Sequence, residues 1–501
     1  MDLVANSIKY RLTKQNYLGS GGEGDLYVVN NTVFKIYQQG HRVISDQKIK
    51  ELGVLQLPFV TPLTLCYSNN KPVGYTMVKV SGEPLAKFFT RSFKDRKGVT
   101  INDVLTIISD IRSGIEYAHT KDILLVDINE FNFLVGDSVY FIDVDGYQTK
   151  SFPATALMES VRDYHSNSFN ELTDWFSFGI ISFQLLIGIH PFKGKYNGLG
   201  LKDRMLQNIS VLDSRVSIPK ACESFSVIPT SYINWFRAIF NGKRLPPPTS
   251  FDRTSVKLVT TQSSQGLVIT FIEEFANLFT YKGYPILVGE HAILVSGEKV
   301  VFLNNQFYKN GHQLKLLTQL DIKSCTTYDN RIYVLSGEHV YESVFLNNSV
   351  AYVPVANVTE NSTTIYDGCV ISQLLGEYYC YTFPTSRASQ AIRLDCLRNK
   401  RVVDAKFSNG ILVVIAFDGE YSQYIFSNSD APVIVKDVNS INFICLNNGI
   451  CINETGVIQV FNKSNIQKVK IIDTNLTLRL DTDGTAVFGI ENNKIYNVSM
   501  K

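Results

Sequence analysis

The rhythm of apolar and polar positions changes twice along the chain. Over 17–29 (YLGSGGEGDLYVV) and 32–37 (TVFKIY), short apolar runs alternate with polar residues and break at glycine or asparagine. That pattern predicts antiparallel strands joined by tight turns. Residues 43–57 take up a helical period, and 72–85 return to a strand that breaks at Ser81-Gly82. Across 101–120, Val104, Leu105, Ile107, Ile108, Ile111 and Ile115 recur at helical spacing, and Tyr117 and His119 close a long buried helix. Two runs at 133–135 and 139–142 flank Gly136-Asp137-Ser138 and read as a small β-hairpin. After an irregular stretch over 148–170, the sequence ELTDWFSFGIISFQLLIGIHPFKG predicts a second buried helix, and 232–240 a last one.

Residues 241–250 (NGKRLPPPTS) form a proline-rich linker, and beyond it the helical period disappears. SGEKV at Ser296 returns as SGEHV at Ser336, and related turns fall at Gly376-Glu377, Gly419-Glu420, Gly456 and Asn492-Asn493. From Gly297 the successive spacings are 40, 39, 43, 37 and about 37 residues, each turn joining two apolar strands. Strand repeats of that period predict a β-propeller, because single blades cannot bury their faces alone. Six blades are visible, and 266–287 either adds a seventh or closes the ring; a pair of β-sandwiches or a β-helix is the alternative.

A chain of 501 residues exceeds one hydrophobic core, so two or more domains are expected. With 45% apolar and 19% charged residues and a net charge of +2, it has no global field to draw nucleic acid or a membrane surface, and neither is expected as a partner. No apolar run approaches the roughly 18 to 20 residues that cross a bilayer. Residues 1–10 lack the basic start and apolar core of a signal peptide, so a cytoplasmic protein is expected. Eight cysteines without a C-x-x-C pair read as reduced, mostly core residues.

The chemistry gathers at the hairpin. Asp127 and Asn132 precede its first strand and Asp143 follows its second, so three oxygen-bearing side chains converge at one mouth. Hard oxygen ligands suit a cation that bridges phosphates, and a further carboxylate can orient an attacking hydroxyl. Upstream, Gly19, Gly21 and Gly24 have G-x-G-x-x-G spacing, with Ser20 and Gly22 between them, and a strand follows at once. Glycines there let backbone N–H groups approach phosphate oxygens. Lys35 lies between apolar neighbours in the next strand and needs either solvent or a partner.

Taken in order over 17–192, the glycine loop, the lysine strand, Asp127 with Asn132, the terminal Asp143 and the helix bearing Asp174, Trp175, Ser177 and Gly179 resemble protein kinases, of a divergent bacterial or bacteriophage kind. The resemblance implies a multidomain α+β chain. A bilobal kinase-like fold would occupy 1–240 (small lobe 1–82, large lobe 83–240), with the linker at 241–250 and an all-β propeller of six or seven blades at 251–501. It implies ATP and Mg²⁺ as cofactors, Asp127 and Lys35 as catalytic groups and Asn132 and Asp143 as metal ligands. Gly19, Ser20, Gly21, Gly22, Gly24, Lys35, Glu51 and Met77 would bind the nucleotide. Glu51, on the helix over 43–57, would pair with Lys35; Met77 would border the base; Asp174 would cap the backbone of the Asp127 loop.

Departures from the pattern are specific. Leu125-Val126-Asp127 stands where the family has His-Arg-Asp, Asp143-Val144-Asp145 stands for Asp-Phe-Gly with Gly146 one place late, and no Ala-Pro-Glu precedes the Asp174 helix. Either Asp143 or Asp145 could hold the metal; Asp143 is preferred because it ends the strand directly. The expected function is a Mg-ATP-dependent Ser/Thr protein kinase whose propeller docks a protein substrate or an assembly partner. The alternative is a pseudokinase scaffold, for instance a component of a phage particle, which would place it in a virion rather than in host cytoplasm. A small-molecule kinase of the aminoglycoside type is a third reading.

Overall fold

In a computed structural model of the chain, TVFKIY is a strand whose two faces explain the sheet around it. The structure describes residues 1–219, 222–251, 267–274, 286–288, 291–296, 298–303, 305–329, 331–427, 431–436, 441, 443–446, 449–454, 457–462, 467–473, 479–482, 487–491 and 494–500. The chain divides into two units, one of residues 1–16, 23–91 and 99–260, the other of 17–22, 92–98 and 261–501.

In chain order the N-terminal strands are β1 (Asp2–Ala5), β2 (Ile8–Arg11), β3 (Tyr17–Ser20), β4 (Gly24–Val29), β5 (Thr32–Tyr37), β6 (Thr64–Ser68), β7 (Lys71–Val78), β8 (Glu83–Pro84), β9 (Phe133–Val135) and β10 (Val139–Phe141). The helices are α1 (Asp46–Leu52), α2 (Arg91–Lys97), α3 (Ile101–His119), α4 (Glu171–Ile187), α5 (Leu201–Leu206) and α6 (Thr230–Phe240). Within the first unit the strands run β2-β1-β6-β7-β5-β4. Side chains alternate across a strand, so Phe34 and Ile36 of β5 join Leu3, Ala5, Leu12 and Cys66 in a buried cluster. Lys35 and Tyr37 therefore face the other way. Leu26 of β4 and Tyr75 of β7 lie opposite Lys35, and Met77 lies opposite Val33, so these residues share the face that carries the chemistry.

The longer helices follow the apolar pattern. Thr100 and Asp103 cap α3 reciprocally, and Val104, Ile107, Ile108, Ile111 and Ile115 form its buried stripe. Gly114 lets α3 close on the hairpin, since a Cβ there would meet the Phe141 ring at 2.2 Å. α4 is capped by Asn170, is buried along most of its length and stops at Gly188, whose φ of 83° favours glycine. The helix expected over 43–57 is shorter, because Ser45 caps its start and it ends at Gly53. Residues 241–250 have no regular structure but are not a free spacer: Trp235 Nε1 donates to the Leu245 carbonyl at 3.1 Å.

From residue 261 onward the described part of the second unit is built mainly from strands. Among the described residues it holds six sheets, and in each a pair of consecutive strands meets at the place the sequence repeat marks. The pairs are His291–Ser296 with Glu298–Leu303, Arg331–Ser336 with His339–Phe345, and Cys369–Leu374 with Glu377–Thr382. They continue with Ile411–Phe417 and Tyr421–Phe426, Gly449–Glu454 and Val457–Asn462, and Val487–Glu491 and Lys494–Met500. Gly337, Gly376 and Gly419 have φ of 55°, 78° and 72°, the left-handed values such turns need. Gly297, Gly456, Asn492 and Asn493 lie outside the described residues. Leu267–Glu274 pairs antiparallel with Lys494–Met500, which joins the start and end of the unit in one sheet. Among the described residues no helix is long and apolar enough to cross a membrane.

Gly74 sits opposite Ile36 in the sheet, where a Cβ would lie 1.9 Å from the Lys35 carbonyl oxygen. A backbone oxygen in a ladder cannot move aside cheaply. Gly74→Ala is therefore expected to destabilise the first unit by about 1–3 kcal/mol. Urea unfolding followed by tryptophan fluorescence checks this, because Trp175 and Trp235, the chain's two tryptophans, both lie in that unit.

Candidate active site

The hairpin forms as the pattern predicts, with Phe141 opposite Phe133 and Val139 opposite Val135. Its mouth is closed by the Ile142 N–H, which donates to the Asn132 carbonyl at 3.0 Å and so fixes where Asp143 begins. The Asn132 side-chain amide donates to the Asp127 carbonyl at 2.8 Å and reaches its carboxylate at 3.4 Å. Asp127 and Asn132 are thus in direct contact, and Asp143 is tied to them through the backbone. The other Asp127 oxygen accepts from the Met158 N–H at 2.7 Å.

Two residues here have left-handed backbone. Val126 has φ of 65° and Asp143 of 60°. For a β-branched residue this conformation is a genuine outlier that surrounding contacts must hold. Asp174, fully buried at the start of α4, supplies them: its carboxylate accepts from the Leu125 and Val126 N–H groups, both at 2.9 Å, and pairs with His119 Nε2 at 2.9 Å. His119 also meets the edge of Trp175. The helix-end histidine and the capping aspartate act together.

Lys35 crosses to the turn after the hairpin. Its Nζ lies 2.6 Å from Asp143 Oδ1, 2.9 Å from Asp145 Oδ2 and 3.6 Å from Glu23 Oε2. Burial works against its charge, but Asp145 and Asp143 outweigh that and hold the amine well above the usual lysine range. Asp145 is buried too and also accepts from Tyr37 Oη at 2.6 Å and Tyr75 Oη at 2.8 Å. Burial alone would raise its carboxyl; Lys35 and the two tyrosines bring it below the ordinary value. Lys48 of α1 donates to the Asp145 carbonyl at 2.5 Å, and burial lowers its amine.

Glu51 does not meet Lys35. Its carboxylate accepts from Thr149 Oγ1 at 2.6 Å and the Ser151 N–H at 3.2 Å, and hydrogen bonds from these residues hold it down at about 2. The reason is one turn of helix: Lys48 and Glu51 share a face of α1, and Lys48 is the one opposite the Asp145 turn. Met77 is half-buried, two residues from Tyr75 on the Lys35 face. Gly24 begins β4 with a Cβ position only 2.6 Å from the Ile36 carbonyl, so only glycine fits. Gly19, Ser20, Gly21 and Gly22 group with the second unit.

Comparisons with known proteins find protein kinases at low identity. cAMP-dependent protein kinase type 3 of Saccharomyces cerevisiae is 23% identical over 179 residues, covering 34% of this chain and 42% of that kinase. Serine/threonine-protein kinase nrc-2 of Neurospora crassa is 22% identical over 252 residues, covering 38% and 40%. Inhibitor of nuclear factor kappa-B kinase subunit alpha of Danio rerio is 24% identical over 202 residues, covering 35% and 27%. The chain carries a kinase-like domain. It spans less than half the length of these curated relatives. No protein-family profile matches it.

Sequence reasoning missed Glu23, Tyr37, Tyr75 and Lys48 in the kinase-like site. Tyr37 was within reach, being two residues from Lys35 on one strand face; Tyr75 needed the strand pairing. It also missed how the irregular stretch over 148–170 ends. Arg244 binds Asp163 through two hydrogen bonds, at 2.6 and 2.5 Å, from the stretch read as a linker.

Replacing Asp174 by alanine strands the Leu125 and Val126 N–H groups and His119 in a buried place. Each stranded group costs about 1–3 kcal/mol. Asp174→Ala should therefore show a large fall in the urea midpoint by tryptophan fluorescence, with Glu171→Ala, exposed on the same helix turn, close to the parent chain.

Proposed function

We propose that the chain is a Mg-ATP-dependent protein kinase acting on serine or threonine hydroxyls. The observation that carries this reading is the convergence of Asp127, Asn132 and the Asp143 turn at one mouth with Lys35 against it. In this reading Asp127 orients the acceptor hydroxyl and takes its proton, and Lys35 holds the α- and β-phosphates. The donor set fits a hard cation. Asp143 is 45% exposed in its side chain, and the Asn132 amide nitrogen is engaged by Asp127, leaving its oxygen as a neutral donor. When bound, ATP would supply the phosphoryl group and Mg²⁺ would offset its charge, while the chain's residues would position the reactants. Met77 borders the base on the Lys35 face, and the glycines at 19–24 cover the phosphates, a role supported by their spacing alone. The six sheets, with Leu267–Glu274 closing onto Lys494–Met500, support a six-bladed propeller that docks a protein target or an assembly partner.

One observation favours a second reading, a pseudokinase scaffold. The groups that would act are engaged by the chain itself, Asp127 by the Met158 N–H and Lys35 by two carboxylates. Transfer of labelled γ-phosphate from Mg-ATP to lysate proteins and to the chain separates the two. A kinase labels targets, and Asp127→Asn lowers the rate by about 10²–10⁴-fold while nucleotide binding persists. Nucleotide binding without label in the parent chain supports the scaffold instead.

A further inference from the structure

Three carboxylates reach Lys35, and they differ in what else they can do. Glu23 is the most distant at 3.6 Å. Asp143 is close but 45% exposed, so water competes for it and a ligand can replace Lys35 there. Asp145 is 3% exposed, and both its oxygens are used twice: Oδ1 accepts from Lys35 and Tyr75, Oδ2 from Lys35 and Tyr37. Its backbone carbonyl is held in turn by Lys48. We infer that Asp145 is the positioning residue that anchors Lys35, in the place where the kinase resemblance calls for a glutamate on the following helix. For its effect on nucleotide the inference rests on the kinase reading; for the anchor itself it rests on the geometry alone.

The groups facing Lys35 come from four directions: Glu23 ahead of β4, Tyr37 on β5, Tyr75 on β7, and Asp143 and Asp145 on the turn. α1 contributes no carboxylate to this set. It acts through Lys48, which fixes the turn that carries the anchor. A buried carboxylate whose four acceptor directions are filled has no room for a metal ion, so anchor and metal ligand divide between Asp145 and Asp143. The tyrosines matter because they hold the carboxylate in one rotamer whether or not Lys35 releases Asp143.

The test labels the full-length chain with an N-hydroxysuccinimide acetate at fixed pH and reads each lysine by peptide mass spectrometry. Asp145→Asn keeps the shape and should raise the modification rate of Lys35 by at least about tenfold, because a buried pair has lost one partner. Glu51→Gln should leave Lys35 unchanged. Lys87, 7% exposed and paired with Glu83, is the internal control. No change at Lys35 in Asp145→Asn, an equal rise in Glu51→Gln, or a parallel rise at Lys87 would each overturn the assignment. A nucleotide-affinity cycle adds the functional arm. If Asp145 acts through Lys35, Asp145→Asn should weaken ATP binding in the parent chain but not further in Lys35→Met; additive losses overturn it. A parent chain that binds no ATP sinks the kinase reading, while the labelling result still decides the anchor.

Discussion

Burying a lysine against a carboxylate is the constraint around which the first unit is arranged. Each charge loses several kcal/mol of hydration on leaving water, and the pair recovers this only when every remaining lone pair and proton finds a partner. Lys35 and Asp145 meet that condition by drawing on separate parts of the chain: β5 brings Lys35 and Tyr37, β7 brings Tyr75, and the turn after β10 brings Asp143 and Asp145. The strand order β7-β5-β4 is what sets Tyr75 beside Lys35. A shift of one residue in that register would turn Tyr75 to the opposite face and leave Asp145 short of a donor. Register, burial and charge are therefore one requirement.

The loop before the hairpin poses a different problem with the same solution. Val126 adopts a conformation that its branched side chain disfavours, and it does so next to Asp127. Such strain lasts only where neighbours over-determine the backbone. Asp174 does this with two backbone hydrogen bonds and a histidine, from a helix that is itself buried along most of its length. Rigidity is carried from an apolar helix into a polar loop by one carboxylate. Asp127 is then held in a fixed place by its backbone, and its carboxylate is oriented by the Met158 N–H and the Asn132 amide.

Much of this was legible in the sequence because it is local. Hairpin, long helices and repeated turns all follow from period and turn formers, and the gathering of Asp127, Asn132 and Asp143 follows from a hairpin having two ends at one mouth. Phase was less legible. An apolar pattern marks which side of α1 is buried, but Lys48 and Glu51 lie three residues apart on one side, and only packing decides which meets the Asp145 turn. Long-range pairs left no trace at all: Asp163 and Arg244 are 81 residues apart, and nothing in the spacing of a proline-rich stretch says that its arginine turns back. Tyr75 depends in the same way on a strand pairing that local pattern does not specify.

The missing elements of the kinase pattern then have a physical counterpart. Where the family has an arginine to grip a phosphorylated segment, this chain has Val126, so the 148–170 stretch must be held by other means. It is. Thr149 and Ser151 are fastened to Glu51, the Met158 N–H to Asp127, the Ser160 carbonyl to His190, the Val161 carbonyl to Ser177, and Asp163 to Arg244. Burial keeps His190 neutral, its value pulled down to about 3, so its Nε2–H donates to Ser160 while Nδ1 accepts from the Phe192 N–H. Apart from the fastenings to carboxylates, these are neutral hydrogen bonds that ask for no added charge. The segment is thus ordered at several points by contacts from α1, the Asp127 loop, α4 and the stretch after α6.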